Sequence, residues 1–281
     1  MHLYKTSKGI ILSHQQQAFL LEEEWDALIN RNNLFQYLLQ LSRNKKNISD
    51  DSFKELLDNN LLSPIGNQEV WAAGVTYLRS RDARIEEAKD AGGGDFYQKV
   101  YEAERPELFF KALPHRVVGH NQEVYIRKDS SWNVPEPELT LYINSSGEIQ
   151  AYTIGNDMSS RSIEGENPLY LPQAKVYDKS AALGPCLYIT DQLISKETNI
   201  QLVITRNKKN VFEGSVQLNK MKRSLPELAQ YLFLECSFPV GCFLMTGTGI
   251  VPPDHFTLEQ QDEVNITIDG IGSLANKIAI R

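Results

Sequence analysis

Glu136 and Glu138 stand two apart in Trp132-Asn133-Val134-Pro135-Glu136-Pro137-Glu138-Leu139-Thr140-Leu141. On an extended segment, side chains two apart share a face, about 6.6 Å apart along the chain. Two carboxylates so placed can converge on one cation; the competing reading is two solvent-exposed acids on an edge strand. Pro137 cannot donate to a ladder, so this strand end reads as an edge or a bulge. A third acid, Asp157, follows the strand ending at Ile154, in Gly155-Asn156-Asp157-Met158-Ser159-Ser160-Arg161. Three carboxylates with no neighbouring His or Cys are hard oxygen donors, which favour Mg²⁺, Ca²⁺ or Mn²⁺ over zinc. With a divalent ion the set still carries net negative charge, so a nearby cation is expected. Lys175, in Gln173-Ala174-Lys175-Val176-Tyr177-Asp178, is the candidate, the alternative being a surface lysine after Pro172. Arg161 reads as an internal partner of Asp157 or Glu164.

The remaining reactive residues carry less. His2, His14, His115, His120 and His255 have no ligand spacing and read as structural or surface residues. Cys186, Cys236 and Cys242 are odd in number and match no zinc pattern, so free thiols in a reducing compartment are expected. No basic region followed by an apolar core opens the chain, and no apolar run approaches the roughly 20 residues of a membrane helix. These features predict a cytoplasmic protein. The 281 residues carry 29 Lys and Arg against 36 Asp and Glu, a formal charge of −7, which argues against nucleic acid as the main partner. A hydrophobic content of 41% and a charged content of 23% fit a globular chain long enough for its own core.

The elements that must position these residues fall into two parts. Residues 1–65 read as a small, mostly helical N-terminal domain. Leu34, Tyr37, Leu38 and Leu41 have helical spacing, and Ser49 can cap a second helix with Asp50 and Asp51 in its first turn. Residues 66–281 read as a β-dominated domain with few helices. Strands are predicted at 70–76, 124–126, 139–143, 149–154, 187–190, 200–205 and 264–268. Ser224-Leu225-Pro226-Glu227 is a capping box with Pro in the first turn. Residues 81–105 read as two helices broken at Gly92-Gly93-Gly94, with Gly92 ending the first, Asp95 capping the second, and the pair a candidate lid.

The order of motifs is more specific than any one of them. Glu-x-Glu-Leu at 136–139, Asn-Asp-x-Ser-x-Arg at 156–161, Ala-Lys-x-Tyr-Asp at 174–178, Leu183-Gly184-Pro185, Gly247-Thr248-Gly249 and Asp269-Gly270-Ile271-Gly272-x-Leu274-x-Asn276 occur in sequence. From about residue 70 to the C-terminus the chain resembles the fumarylacetoacetate hydrolase family. The resemblance implies an α+β fold: a mixed β-sheet roll forming the catalytic domain, with a small helix-rich N-terminal domain, in a homodimer or homotetramer. It implies a Mg²⁺ or Ca²⁺ site on Glu136, Glu138 and Asp157, Mn²⁺ being a further fit, that holds the carboxylate and keto oxygens of a 2-oxo acid. The hydrolases carry an Asn-Tyr-x-x-His motif whose His activates water. Here the stretch is Thr76-Tyr77-Leu78-Arg79-Ser80, and Ser80 cannot act as that base.

The stretches at 74–81, 105–111 and 165–172 resemble the branch of the family that dehydrates 2-keto-3-deoxy sugar acids. That implies dehydration of a 2-keto-3-deoxypentonate to 2,5-dioxopentanoate in oxidative pentose catabolism. Lys175 is then the base and Glu107 the acid, roles that are open to exchange; Thr76, Tyr77, Arg79 and Thr248 contact substrate. The bland alternative for Glu107 is a salt bridge to Arg105 or Lys111. Rival activities are acylpyruvate hydrolysis and oxaloacetate decarboxylation on the same fold, or metal-dependent sugar-acid binding without catalysis.

Overall fold

The structure, a computed structural model, describes residues 1–87 and 94–281, with backbone alone at 87, 94 and 95. The Gly92 helix stop, the Asp95 side chain expected to cap the second helix and the lid built on them lie outside the described residues. The chain opens with β1 (His2–Thr6), β2 (Gly9–His14) and β3 (Gln17–Leu21), followed by α1 (Trp25–Ile29), α2 (Leu34–Asn44) and α3 (Asp50–Asn60). Next come β4 (Glu69–Gly74), α4 (Leu78–Glu87), α5 (Gly94–Glu102) and β5 (Glu107–Ala112). The middle holds β6 (Val117–Val118), β7 (Gln122–Ile126), β8 (Asn133–Val134), β9 (Pro137–Ile143), β10 (Ile149–Asp157) and β11 (Ser159–Ser160). After α6 (Arg161–Glu166) and α7 (Leu171–Lys175) run β12 (Ala181–Tyr188), β13 (Asn199–Arg206) and β14 (Lys209–Gln217). The last elements are α8 (Leu225–Phe233), β15 (Cys242–Met245), β16 (Glu263–Ile268) and β17 (Gly272–Ile280).

The main sheet has the order β3-β2-β1-β12-β10-β9-β15-β4-β5, with β6 also on β12. A second sheet, β14-β13-β16-β17-β7, packs against one of its faces. Leu139, Leu141, Ile143 and Leu244 of the first sheet meet Ile200, Leu202, Ile204 and Ile266 of the second there. The strand β9 is buried at every position, as expected for a central strand covered on both faces. On the opposite face Val70, Ala72, Tyr142, Leu183, Phe243 and Met245 pack against Leu3, Leu12, Trp25, Leu28 and Leu38 of the first 38 residues. The N-terminal segment therefore covers the sheet face from which Glu138 also projects, since Tyr142 and Glu138 alternate onto one side of β9.

The two N-terminal helices read from the sequence are present, and Ser49 accepts from the Ser52 N–H at 3.2 Å. The reading of residues 1–65 as mostly helical is corrected by β1, β2 and β3, and β1 pairs with β12, so they extend the main sheet. The predicted strand at 187–190 begins earlier, at Ala181, and passes through Pro185, which a register shift between Tyr152 and Ile154 accommodates. The capping box at Ser224 forms as expected: its side chain accepts from Glu227 N–H while Glu227 accepts from Ser224 N–H. Cys186 and Cys242 are buried, Cys236 is exposed, and all three are free. No helix among the described residues is long and apolar enough to cross a membrane.

Candidate active site

The carboxylates meet where β9 begins and β10 ends. Antiparallel pairing sets Glu138 opposite Gly155 and Pro137 opposite Asn156, and Asp157 N–H donates to the Glu136 carbonyl at 3.0 Å. Oxygens of Glu136, Glu138 and Asp157 consequently lie within 4.8 Å of one another. The three residues are 4%, 1% and 1% exposed, which removes the reading of two solvent-facing acids. The edge expected from Pro137 is also overturned: β9 runs between β10 and β15. Proline is tolerated because it is the first residue of the strand, where no ladder donor is needed.

Four cations surround the cluster. Lys175, the last residue of α7, donates from Nζ to Glu136 Oε2 at 2.7 Å and Asp157 Oδ2 at 3.1 Å. Lys111 of β5 lies 2.6 Å from Asp157 Oδ1. Arg161 donates to Glu136 Oε1 at 2.9 Å, a partner not foreseen for it, and Arg84 of α4 reaches the same oxygen at 3.2 Å. Arg84 also pairs with Glu164, which accepts from Ser159 Oγ at 2.8 Å. Burial acts to raise the Glu136 pKa, but Lys175, Arg161 and Arg84 together hold it far below the usual carboxylate range. Glu138 goes the other way: burial first, then the charges of Asp157 and Glu136, push it well up. It forms no ion pair among the described residues and accepts only the Gly247 N–H, at 2.6 Å. Gly247 has φ +92°, and a Cβ there would sit 2.0 Å from Thr76 Oγ1, so only glycine brings its N–H this close.

Glu107 opens β5 opposite Gly74, where a Cβ would lie 2.0 Å from its Oε2. Neither expected partner takes it: Arg105 lies 5.5 Å from the Tyr231 ring centre, and Lys111 is committed to Asp157. Burial raises its pKa, opposed by Arg84 and Lys175. The substrate contacts expected from sequence divide. Tyr77 is 1% exposed and its hydroxyl is buried without a hydrogen-bond partner among the described residues. Burial and then the Glu138 charge keep that phenol protonated. Thr76 donates to the Thr246 carbonyl at 2.8 Å, and Thr248 exchanges bonds with Ile250 O and N at 3.3 and 3.2 Å, so both hydroxyls shape their loops. Ser80 likewise donates to the Tyr77 carbonyl at 2.8 Å. Tyr77, Ser80, Ala83 and Arg84 form the buried face around α4, whereas Arg79 lies on its exposed face, away from the carboxylates.

Sequence reasoning missed Arg84, and it named Lys111 and Glu164 only as partners of Glu107 and Arg161, not as parts of this cluster. The signals available were a lone cation in Leu108-Phe109-Phe110-Lys111-Ala112 and the spacing of Tyr77, Ser80 and Arg84 on one helical face.

The residues present fit a divalent ion. Glu138 is a buried carboxylate with no ion-pair partner among the described residues, the costliest kind of group to leave unpaired, and a hard cation shared by three carboxylates relieves it. The fold and this site define a family, and the chain belongs to it: residues 70–279 match the family described as Fumarylacetoacetate (FAA) hydrolase C-terminal. Among its relatives, a probable 2-keto-3-deoxyxylonate dehydratase of Haloferax volcanii is 44% identical over 232 residues, 82% of this chain and 78% of that one. The 2-dehydro-3-deoxy-D-arabinonate dehydratase of Saccharolobus solfataricus is 41% identical over 256 residues, 87% of this chain and 86% of that one. A solved structure of 2-keto-3-deoxy-D-arabinonate dehydratase complexed with magnesium and 2,5-dioxopentanoate is similar over 100% of this chain and 98% of its own, at 35% identity and a TM-score of 0.83.

Proposed function

We propose that this chain is a Mg²⁺-dependent hydro-lyase that converts a 2-keto-3-deoxypentonate to 2,5-dioxopentanoate. The observation that carries the reading is one sheet end combining a buried carboxylate triad, the Lys175 amine and a Glu107 that makes no ion pair among the described residues and whose pKa is raised by burial. The relatives named above support the substrate class. Glu136, Glu138 and Asp157 would hold the ion; Ca²⁺ or Mn²⁺ suit the same oxygens. When bound, it supplies Lewis acidity that draws electrons toward the C2 carbonyl and acidifies C3. Lys175 Nζ, once unprotonated, takes a C3 proton, and Glu107 gives its proton to the C4 hydroxyl, which leaves as water. A proton shift from C5 to C3 and ketonisation of the resulting C5 enol complete the product. Tyr77 offers the free hydroxyl best suited to a substrate oxygen. Thr76 and Thr248 shape the walls, and Arg79 would have to turn inward to join them. Ser80, bound to backbone, supplies no water-activating base, which disfavours hydrolysis.

The test is an assay on 2-keto-3-deoxypentonate with and without EDTA, following 2,5-dioxopentanoate through an aldehyde dehydrogenase. EDTA-sensitive product is expected; no product, with oxaloacetate or acylpyruvate consumed instead, would overturn the substrate. Glu107→Gln is expected to lower kcat by about 10²–10⁴-fold. An acid with a raised pKa is active below that value and loses activity as pH rises through it. The pH–rate profile of the variant should therefore lack this alkaline limb, and an unchanged profile removes Glu107 as the acid. On the same footing we propose a cytoplasmic homodimer or homotetramer in oxidative pentose catabolism. The division into residues 1–65 and 66–281 is likewise proposed; the family match beginning at residue 70 supports it.

A further inference from the structure

We infer that Lys111 is a positioning residue, fixing the ligand Asp157 and the base Lys175 relative to each other; this rests on the function proposed above. Lys111 is 0% exposed and sits on β5, the strand that begins with Glu107. Its Nζ lies 2.6 Å from Asp157 Oδ1 and donates to the Met158 carbonyl at 2.9 Å and the Lys175 carbonyl at 2.5 Å. The ammonium thus gives two hydrogen bonds to backbone carbonyls and one ion pair to the Asp157 carboxylate.

Each contact constrains a different part of the site. The ion pair at Oδ1 holds that side of the Asp157 carboxylate toward Lys111 and leaves Oδ2 toward Lys175. The bond to Met158 holds the backbone just past Asp157. The bond to Lys175 caps α7, whose last carbonyls have no partner within the helix. One buried cation thus ties the end of β10 to the end of α7, the two places from which ligand and base emerge. The Tyr177 ring, 5.8 Å from Nζ, lies beside it.

The experiment uses Lys111→Met and Lys111→Arg in the full chain. Three quantities are read: cooperative melting, the electron paramagnetic resonance spectrum of bound Mn²⁺ without substrate, and kcat together with solvent exchange at C3. Lys111→Met should melt cooperatively, give a broadened Mn²⁺ spectrum with altered zero-field splitting, and lose kcat and C3 exchange together by about 10–100-fold. A folded variant with the parent spectrum and parent kcat overturns the proposal, because a purely structural lysine would change melting alone. If Lys111→Met does not fold, Lys111→Arg keeps the buried charge but moves the donors. It should show the same spectral change, and a parent spectrum there overturns the proposal equally. A parent protein that binds Mn²⁺ but leaves the pentonate unchanged refutes the dehydratase reading alone, since the spectrum needs no substrate. A parent protein that binds no Mn²⁺ refutes both.

Discussion

A Glu138→Gln protein will fold, melt no lower than its parent in EDTA, and lose metal-dependent turnover by about a thousandfold or more. The kinetic part follows from removing one of three charged ligands. A bound divalent ion contributes several kcal/mol of transition-state charge stabilisation, and about 4 kcal/mol corresponds to a factor of about 10³. The stability part follows from the electrostatics of the ion-free cluster. The Glu138 pKa is pushed well up by burial, then by Asp157 and Glu136. A carboxyl raised in the folded state favours folding at low pH, and that contribution is lost as pH climbs from the ordinary carboxylate range through the raised value. Near neutrality the charged group is therefore a liability that glutamine removes, while its amide oxygen still accepts the Gly247 N–H. Melting temperature against pH in EDTA should be flatter for the variant over that window. Full activity at saturating Mg²⁺ would remove Glu138 from the ligand set.

Lys175→Met should change stability in the opposite direction. Lys175 is 1% exposed and pairs with Glu136 and Asp157, so its removal leaves two buried carboxylates short of a counter-charge. Breaking a buried pair by deleting one partner costs about 3–5 kcal/mol. Added Mg²⁺ should restore part of that, because a ligand that binds only the folded state stabilises it. Turnover should fall by about 10²–10⁴-fold, with loss of deuterium exchange at C3 of the substrate. Exchange at the parent rate sinks Lys175 as the base. Exchange retained in Lys175→Met but lost in Glu107→Gln reverses the two roles. The variants thus separate one cluster into a carboxylate that ion-free folding does better without and an amine it needs.

Much of this site was legible because its signals are local. Alternate residues on a strand share a face, which is enough to pair Glu136 with Glu138, and ordered motifs brought in Asp157 and Lys175. What escaped depends on long-range packing. Arg79 and Arg84 are both arginines of α4, and only the helix phase against the sheet decides which is buried. Lys111 is intelligible only once β5 lies beside β4, since its partners come from residues 47 and 64 positions away. The strands β2 and β3 were hidden by their turn: Gln15 and Gln16 have φ of 50° and 63°, a left-handed pair that Asn-Gly usually announces. Pro137 misled because a strand's first residue and an edge strand tolerate proline for the same reason.

The strand β12 pairs with β1 through Leu187 and Tyr188, and with the Asp157 end of β10 through Ala181. This continuity governs how the protein can be cut and recombined. A fragment starting at residue 66 would bare Tyr142, Leu183, Phe243 and Met245, an apolar expanse of the kind that drives clumping of soluble chains. Exchanging the first 65 residues between relatives is for the same reason a graft onto a shared core: a donor segment must match the recipient's sheet side chain for side chain, and a mismatch would surface first as poor yield of soluble protein.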